Sequence, residues 1–203
     1  MAKQESHSPP MDLIELDIPV CWDTPPKEIL RTIEIAERLR EQMKSDETQK
    51  RIPLLVNSNY YIAYHAFKHI RDAGLGGDLS FCEWGSGLGV VTCIASQLGF
   101  RATGIEIEES LCEFSEKFAK QADVDAQFFQ GSYRSPIGNE ISQLQPREGD
   151  RPFPLGRRNC DVIYAYPWPA EAAYLASLFE QSNASLLVTY HGGTTLRVRK
   201  HIC

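Results

Sequence analysis

The stretch Phe81-Cys82-Glu83-Trp84-Gly85-Ser86-Gly87-Leu88-Gly89-Val90-Val91 constrains the fold of this chain more than any other. It sets three glycines at alternate positions between a run suited to a strand, Leu79 to Trp84, and a run suited to a helix, Val90 to Leu98, with Gly99 as its stop. A strand that turns through glycines straight into a helix is the opening unit of an open α/β sheet, whose ligands sit beyond the carboxyl ends of the strands. Gly85 and Gly87 can take dihedrals closed to other residues and let a ligand approach the backbone, while Gly89 lets the following helix pack on the sheet. A merely structural tight turn would use the same residues, so the surrounding sequence has to discriminate.

Beyond the turn, strand and helix patterns alternate. Strands are expected at Ala102 to Ile107, Gln127 to Gln130, Val162 to Tyr166 and Ser185 to Tyr190, with helices at Glu109 to about Gln121 and about Ala170 to Gln181. Leu196 to Ile202 alternates Leu196, Val198 and Ile202 with Arg197, Arg199 and His201, which predicts an exposed, antiparallel final strand. Before the turn, Ile29, Ile33, Ala36, Leu39 and Met43 recur at helical spacing, and a second helix follows Asn57 or Ser58, either of which can cap it. The expected fold is α/β and Rossmann-like, a mostly parallel sheet with helices on both faces, shortened at the C-terminal end. Its 203 residues suit one domain: an arm over 1–26, in which LIELDIPV can form an edge strand, helices over 27–77, and an α/β core over 78–203. A proline-, glycine- and arginine-bearing loop over 131–160 reads as a flexible flap or a substrate-binding element.

Two acids narrow the ligand. A dinucleotide fingerprint needs glycine at position 90, where Val90 stands, and the third glycine falls at 89 instead. Glu83 ends the first strand of the core, where its carboxylate would repel a pyrophosphate and attract a cationic ligand. Glu106 ends the next strand within Thr103-Gly104-Ile105-Glu106-Ile107, an apolar run in which an unpaired carboxylate is costly and a pair of ligand hydroxyls would satisfy it. Glu108 and Glu109 suit the start of the following helix.

These residues carry a resemblance. E-x-G-x-G-x-G, a helix, and then G-I-E-I-E are similar to motifs I and II of the class I S-adenosylmethionine-dependent methyltransferases, over about Ser58 to Tyr190, and E-W-G-S-G-L-G-V-V-T is similar to a group of uncharacterised bacterial members. The resemblance implies S-adenosylmethionine as cofactor. Glu83, Gly85, Ser86 and Gly87 would hold its methionine part, Glu106 its ribose and Ile107 its adenine. Ser132 would stand in for the acid that the family often places after the third strand. The Asn59 and Tyr60 segment would cover the cofactor, plain helix capping being its alternative. The loop Tyr166-Pro167-Trp168-Pro169 resembles, without matching, the D/N-P-P-Y/W/F motif of methyltransferases acting on exocyclic amines of nucleic acid.

Methyl transfer from a sulfonium is an in-line displacement, served by alignment and desolvation without a dedicated base. Tyr166 and Trp168 can wall an acceptor pocket or simply pack a rigid turn. His191, before Gly192 and Gly193, can take a proton or serve structure alone. His65 and His69 share a helix face, but no partner ligand is apparent, so a solvated face is expected and no metal. The six cysteines lack C-x-x-C pairing and read as reduced and mostly buried. A formal net charge of -6 favours a small-molecule or protein acceptor, with nucleic acid kept open through the Y-P-W-P loop. The sequence shows no membrane span and no secretory leader, which suggests the cytoplasm, and oligomeric state is unassigned. Two other readings compete: a catalytically silent binding module on a cofactor fold, and a nicotinamide-dependent oxidoreductase.

Overall fold

The computed structural model describes residues 13–19, 23–45, 58–133 and 160–201. Asn57, Cys21, Cys203 and most of the 131–160 loop lie outside the described residues. Thirteen elements follow in chain order: β1 (Leu13–Leu16), α1 (Lys27–Ser45), α2 (Tyr60–Asp72), β2 (Ser80–Trp84), α3 (Val90–Gln97), β3 (Arg101–Glu106), α4 (Glu109–Ala122), β4 (Gln127–Gln130), β5 (Val162–Ala165), a 3₁₀ turn (Pro169–Glu171), α5 (Ala172–Glu180), β6 (Leu186–Tyr190) and β7 (Leu196–His201).

The strands form one sheet in the order β1-β7-β6-β5-β2-β3-β4. From β6 to β4 every pairing is parallel, whereas β7 runs antiparallel to both β6 and β1. Among the described residues one strand, β7, follows β6, and the edge position beyond it is filled by β1. The last strand is therefore interior rather than an exposed edge, and Val198 is buried on the helical face of the sheet.

Helices α1 to α4 pack one face and α5 the other. β2, β5 and β6 are buried along their whole length, as strands covered on both sides must be. On the α1–α4 face Phe67 of α2 meets Phe81 and Tyr164 edge-on at 5.0 and 5.4 Å, pinning α2 over the switch between β2 and β5. On the opposite face Leu175, Leu178 and Phe179 cover Ile163 and Leu187. Cys82, Cys93, Cys112 and Cys160 are buried thiols, and no helix among the described residues is long and apolar enough to cross a membrane.

Two local expectations need correction. α2 is capped by Asn59, whose Oδ1 accepts from the N–H groups of Tyr61 and Ile62 at 3.1 and 3.2 Å, rather than by Asn57 or Ser58. His65 is buried edge-on against Tyr64 rather than solvated. Glu108 and Glu109 do stand at the start of α4, at its cap and in its first turn, although the Glu108 side chain makes no capping bond.

Candidate functional site

The glycine turn closes over the end of β3, with the N–H groups of Gly85 and Ser86 both donating to the Ile105 carbonyl at 2.9 and 3.0 Å. Two of its glycines serve different ends. Gly85 has φ +77°, and a Cβ there would meet nothing nearer than the Tyr133 ring edge at 4.0 Å, so the backbone is open to a ligand. Gly89 has φ +74°, and a Cβ there would stand 2.6 Å from the Phe128 ring and 2.8 Å from Ser115 Cβ, so this position is closed by packing against β4 and α4. The Ser86 hydroxyl is buried without a partner among the described residues.

Glu106, 7% exposed, accepts from Gly87 N–H on Oε2 at 2.8 Å and from Glu108 N–H on Oε1 at 3.0 Å. The backbone thus supplies one donor to each oxygen, so the carboxylate is not unpaired as its apolar setting suggested. Each oxygen keeps a lone pair for another donor. The same contacts tie the loop after β2 to the loop after β3.

Glu83, 5% exposed, lies on the α3 side of β2 and accepts both the N–H and the hydroxyl of Thr92 on Oε2, at 2.9 and 2.5 Å. Thr92 sits in the first turn of α3, where backbone N–H groups have no partner within the helix. Burial pushes the Glu83 carboxyl up to about 8, against the pull of the two Thr92 bonds and with the neighbouring charge of Glu106 adding to the rise. No ion pair among the described residues involves either acid.

Around the acids the structure assembles most of the expected cofactor residues. Tyr60, buried at the start of α2, has its hydroxyl pushed up chiefly by burial, with Arg40 opposing and Glu83 and Glu37 adding. Its neighbour Asn59 spends its side-chain oxygen on the helix cap, which is the plainer of its two expected roles. Ser58 accepts a hydrogen bond from Tyr164 at 2.6 Å. Ile107, directly after Glu106, is 63% exposed. Gly131 N–H donates to the Glu106 carbonyl at 2.7 Å, which brings Ser132 to the same edge.

Two contributors stand outside the residues assigned to the cofactor from sequence: Tyr133, legible there only as a ring beside Ser132, and Thr92. Tyr133 stacks on Trp84 at 5.5 Å with planes 2° apart, and its edge overlies Gly85. Thr92 was signalled only by being a hydroxyl residue in the first turn of the helix that follows the glycines.

The three catalytic candidates do not converge. Tyr166, after β5, meets Tyr190, the end of β6, edge-on at 4.7 Å, and Tyr190 O–H donates to the Gly193 carbonyl at 2.9 Å. Trp168 stands 47% exposed, its backbone N–H on the Glu171 carboxylate at 3.2 Å. His191 points the other way. Strand alternation puts it with Thr189, whose Oγ1 lies 2.9 Å from its Nε2, on the α5 face, while Tyr190 between them faces Glu83's side. Burial and the cations Arg197 and Arg199 hold the His191 imidazole below its ordinary value, with Glu15 opposing.

No protein-family profile and no curated protein matches this chain. Solved structures do resemble it. An O-methyltransferase from Bacillus cereus in complex with S-adenosylhomocysteine superposes with a TM-score of 0.51 at 10% identity, over 83% of this chain and 67% of that one. An RNA methyltransferase from Salinibacter ruber in complex with S-adenosyl-L-homocysteine gives 0.49 at 20% identity, over 73% of this chain and 94% of that one. The O-methyltransferase TomG from Streptomyces achromogenes in complex with S-adenosylmethionine gives 0.47 at 11% identity, over 82% and 66%. The superposition on the Bacillus cereus enzyme shows a shared fold, and this chain has the same Rossmann-like α/β architecture as that methyltransferase.

Proposed function

We propose that this chain binds S-adenosylmethionine along the carboxyl ends of β2 and β3 and transfers its methyl group to an acceptor beside β5 and β6. The observation that carries this reading is the pair of buried carboxylates, Glu83 and Glu106, at the ends of adjacent strands, with no cationic side chain among the described residues paired to either. Such a pair suits a ligand that brings its own positive charge and its own hydroxyl donors. Glu83, Gly85, Ser86 and Gly87 would hold the amino-acid end, Glu106 the ribose, and Ile107 and Ser132 the adenine, with Asn59 and Tyr60 covering. When bound, the cofactor supplies an electrophilic methyl group on a sulfonium. Tyr166 and Trp168 would exclude water from the acceptor and orient it. The Bacillus cereus neighbour, crystallised with S-adenosylhomocysteine, supports the cofactor. The net charge of -6 favours a small-molecule or protein acceptor in the cytoplasm.

Calorimetry with S-adenosylmethionine, S-adenosylhomocysteine and the nicotinamide dinucleotides tests the cofactor. Micromolar binding of the first two alone is expected, and preference for a nicotinamide overturns the reading. One observation favours a second reading, a binding module that holds the cofactor without turnover: the scattered catalytic candidates, with His191 on the far face. Cofactor binding with no methyl transfer across small-molecule, protein and nucleic-acid panels would select it.

A further inference from the structure

Glu83 is 5% exposed and has no ion-pair partner among the described residues. Thr92 of α3 holds its Oε2, Tyr164 of β5 is its register partner, and Cys93, Tyr60 and Glu106 are the other titratable groups coupled to it, with Arg40 and Glu37 of α1 acting on Tyr60. Burial pushes the Cys93, Tyr60 and Tyr164 groups up, so none of them ionises near neutrality to share a charge with Glu83. Both Thr92 donors fall on Oε2, which fixes the carboxyl plane from below. We propose that Glu83 carries a proton in the cofactor-free protein and releases it to solvent when the cofactor's α-ammonium binds, and that Thr92 is the positioning residue that sets the pH of this exchange. The proposal rests on the cofactor reading above. Its balance is simple: the Glu83 O–H bond breaks, the proton leaves to buffer, and the carboxylate accepts a hydrogen bond from the ammonium. An ionised carboxyl buried beside Glu106 is unfavourable until a cation arrives.

The test is the affinity of the intact protein for S-adenosylhomocysteine, which keeps the ammonium and lacks the sulfonium, between pH 5.5 and 7.5. With Glu83 titrating at about 8, Kd should fall about tenfold per pH unit in this window. Calorimetry in buffers of different ionisation enthalpy should find about 0.9 of a proton released per ligand at pH 7. 5′-Methylthioadenosine, without an ammonium, should bind with no such slope. Thr92→Val removes one donor to the carboxylate and should shift the curve up by about one pH unit, weakening binding about tenfold at pH 7, while Thr92→Ser restores it. Glu83→Gln, checked for fold by circular dichroism, should bind weakly and without pH dependence. A flat Kd for S-adenosylhomocysteine, an equal slope for methylthioadenosine, or a Thr92→Val curve that matches the parent overturns the proposal while leaving the cofactor reading intact. No binding of either adenosyl ligand at any pH overturns both.

Discussion

The two halves of the carboxyl edge are held by different means. On the β2–β3 half, polar groups are fastened by the two neighbouring strand–loop–helix segments: Glu106 by the N–H groups of Gly87 and Glu108, Glu83 by Thr92, the turn by the Ile105 carbonyl. On the β5–β6 half, rings meet rings, Tyr166 on Tyr190, and Trp168 stands largely in solvent. A half fixed by backbone is preorganised for one constant ligand, whereas a half walled by rings offers adaptable area to a second. Substitutions on the first half should therefore act on stability and cofactor affinity, and those on the second on acceptor turnover alone.

The largest effect expected is on stability against pH. The Glu83 carboxyl moves from 4.5 in the unfolded chain to about 8 in the fold, so between those values the folded state holds a proton that the unfolded state has lost. Its contribution is complete below pH 4.5 and is lost as pH rises through 8, by about 3.5 kcal/mol between pH 5 and 8. Urea unfolding of the cofactor-free protein at those two pH values, against Glu83→Gln, isolates this contribution. Equal slopes in the two proteins would show that Glu83 is already solvated and that the first half is less closed than the structure has it.

Next comes Gly89→Ala, at about 3 kcal/mol of destabilisation, since it adds overpacking against Phe128 and Ser115 to a left-handed backbone. Its unfolding midpoint should drop with cofactor affinity little changed in the protein that remains folded. Gly87→Val should do the reverse. Gly87 has φ +54° and gives its N–H to Glu106, so a branched side chain there should cost at least about hundredfold in cofactor Kd, read by calorimetry, with the fold retained. Matching behaviour of the two variants would erase the division of labour within the turn.

The same contrast explains what the sequence could disclose. Gly85, Gly87, Gly89, Glu83 and Glu106 were legible because their partners lie within one strand–turn–helix unit or at the end of the adjacent strand, where spacing alone places them. Thr92 was hidden because a hydroxyl in a first helical turn has many uses, and its bond to Glu83 depends on which way β2 presents its alternate side chains. Glu106 was misread as unpaired because the donors were backbone groups, which leave no mark in the sequence. The edge strand Leu13–Leu16 was visible as a strand, but its partner β7 lies at the far end of the chain, and nothing local encodes such a pairing. Asn59 rather than Asn57 or Ser58 caps α2 because Tyr60 and Phe67 must both face the core, which sets where the first turn begins.

The smaller effects belong to the ring half, where the two catalytic candidates outside the Tyr166–Tyr190 pair should part company. Trp168→Ala removes a half-exposed ring from the proposed acceptor side and should lower acceptor kcat/KM about tenfold, with cofactor Kd within twofold of the parent. His191→Ala should change neither by more than about twofold, because its ring is bonded to Thr189 on the α5 face and strand alternation carries it away from Glu83 and Tyr60. Its imidazole is held below its ordinary value by partial burial and by Arg197 and Arg199, the direction that favours a base if it faced the acceptor. Direction, rather than protonation, therefore decides its role. A pH–rate profile that loses an ascending limb near neutrality in His191→Ala, with kcat down a hundredfold, would place the acceptor across the end of β6 on the α5 face and move the acceptor half of the site to the other side of the sheet.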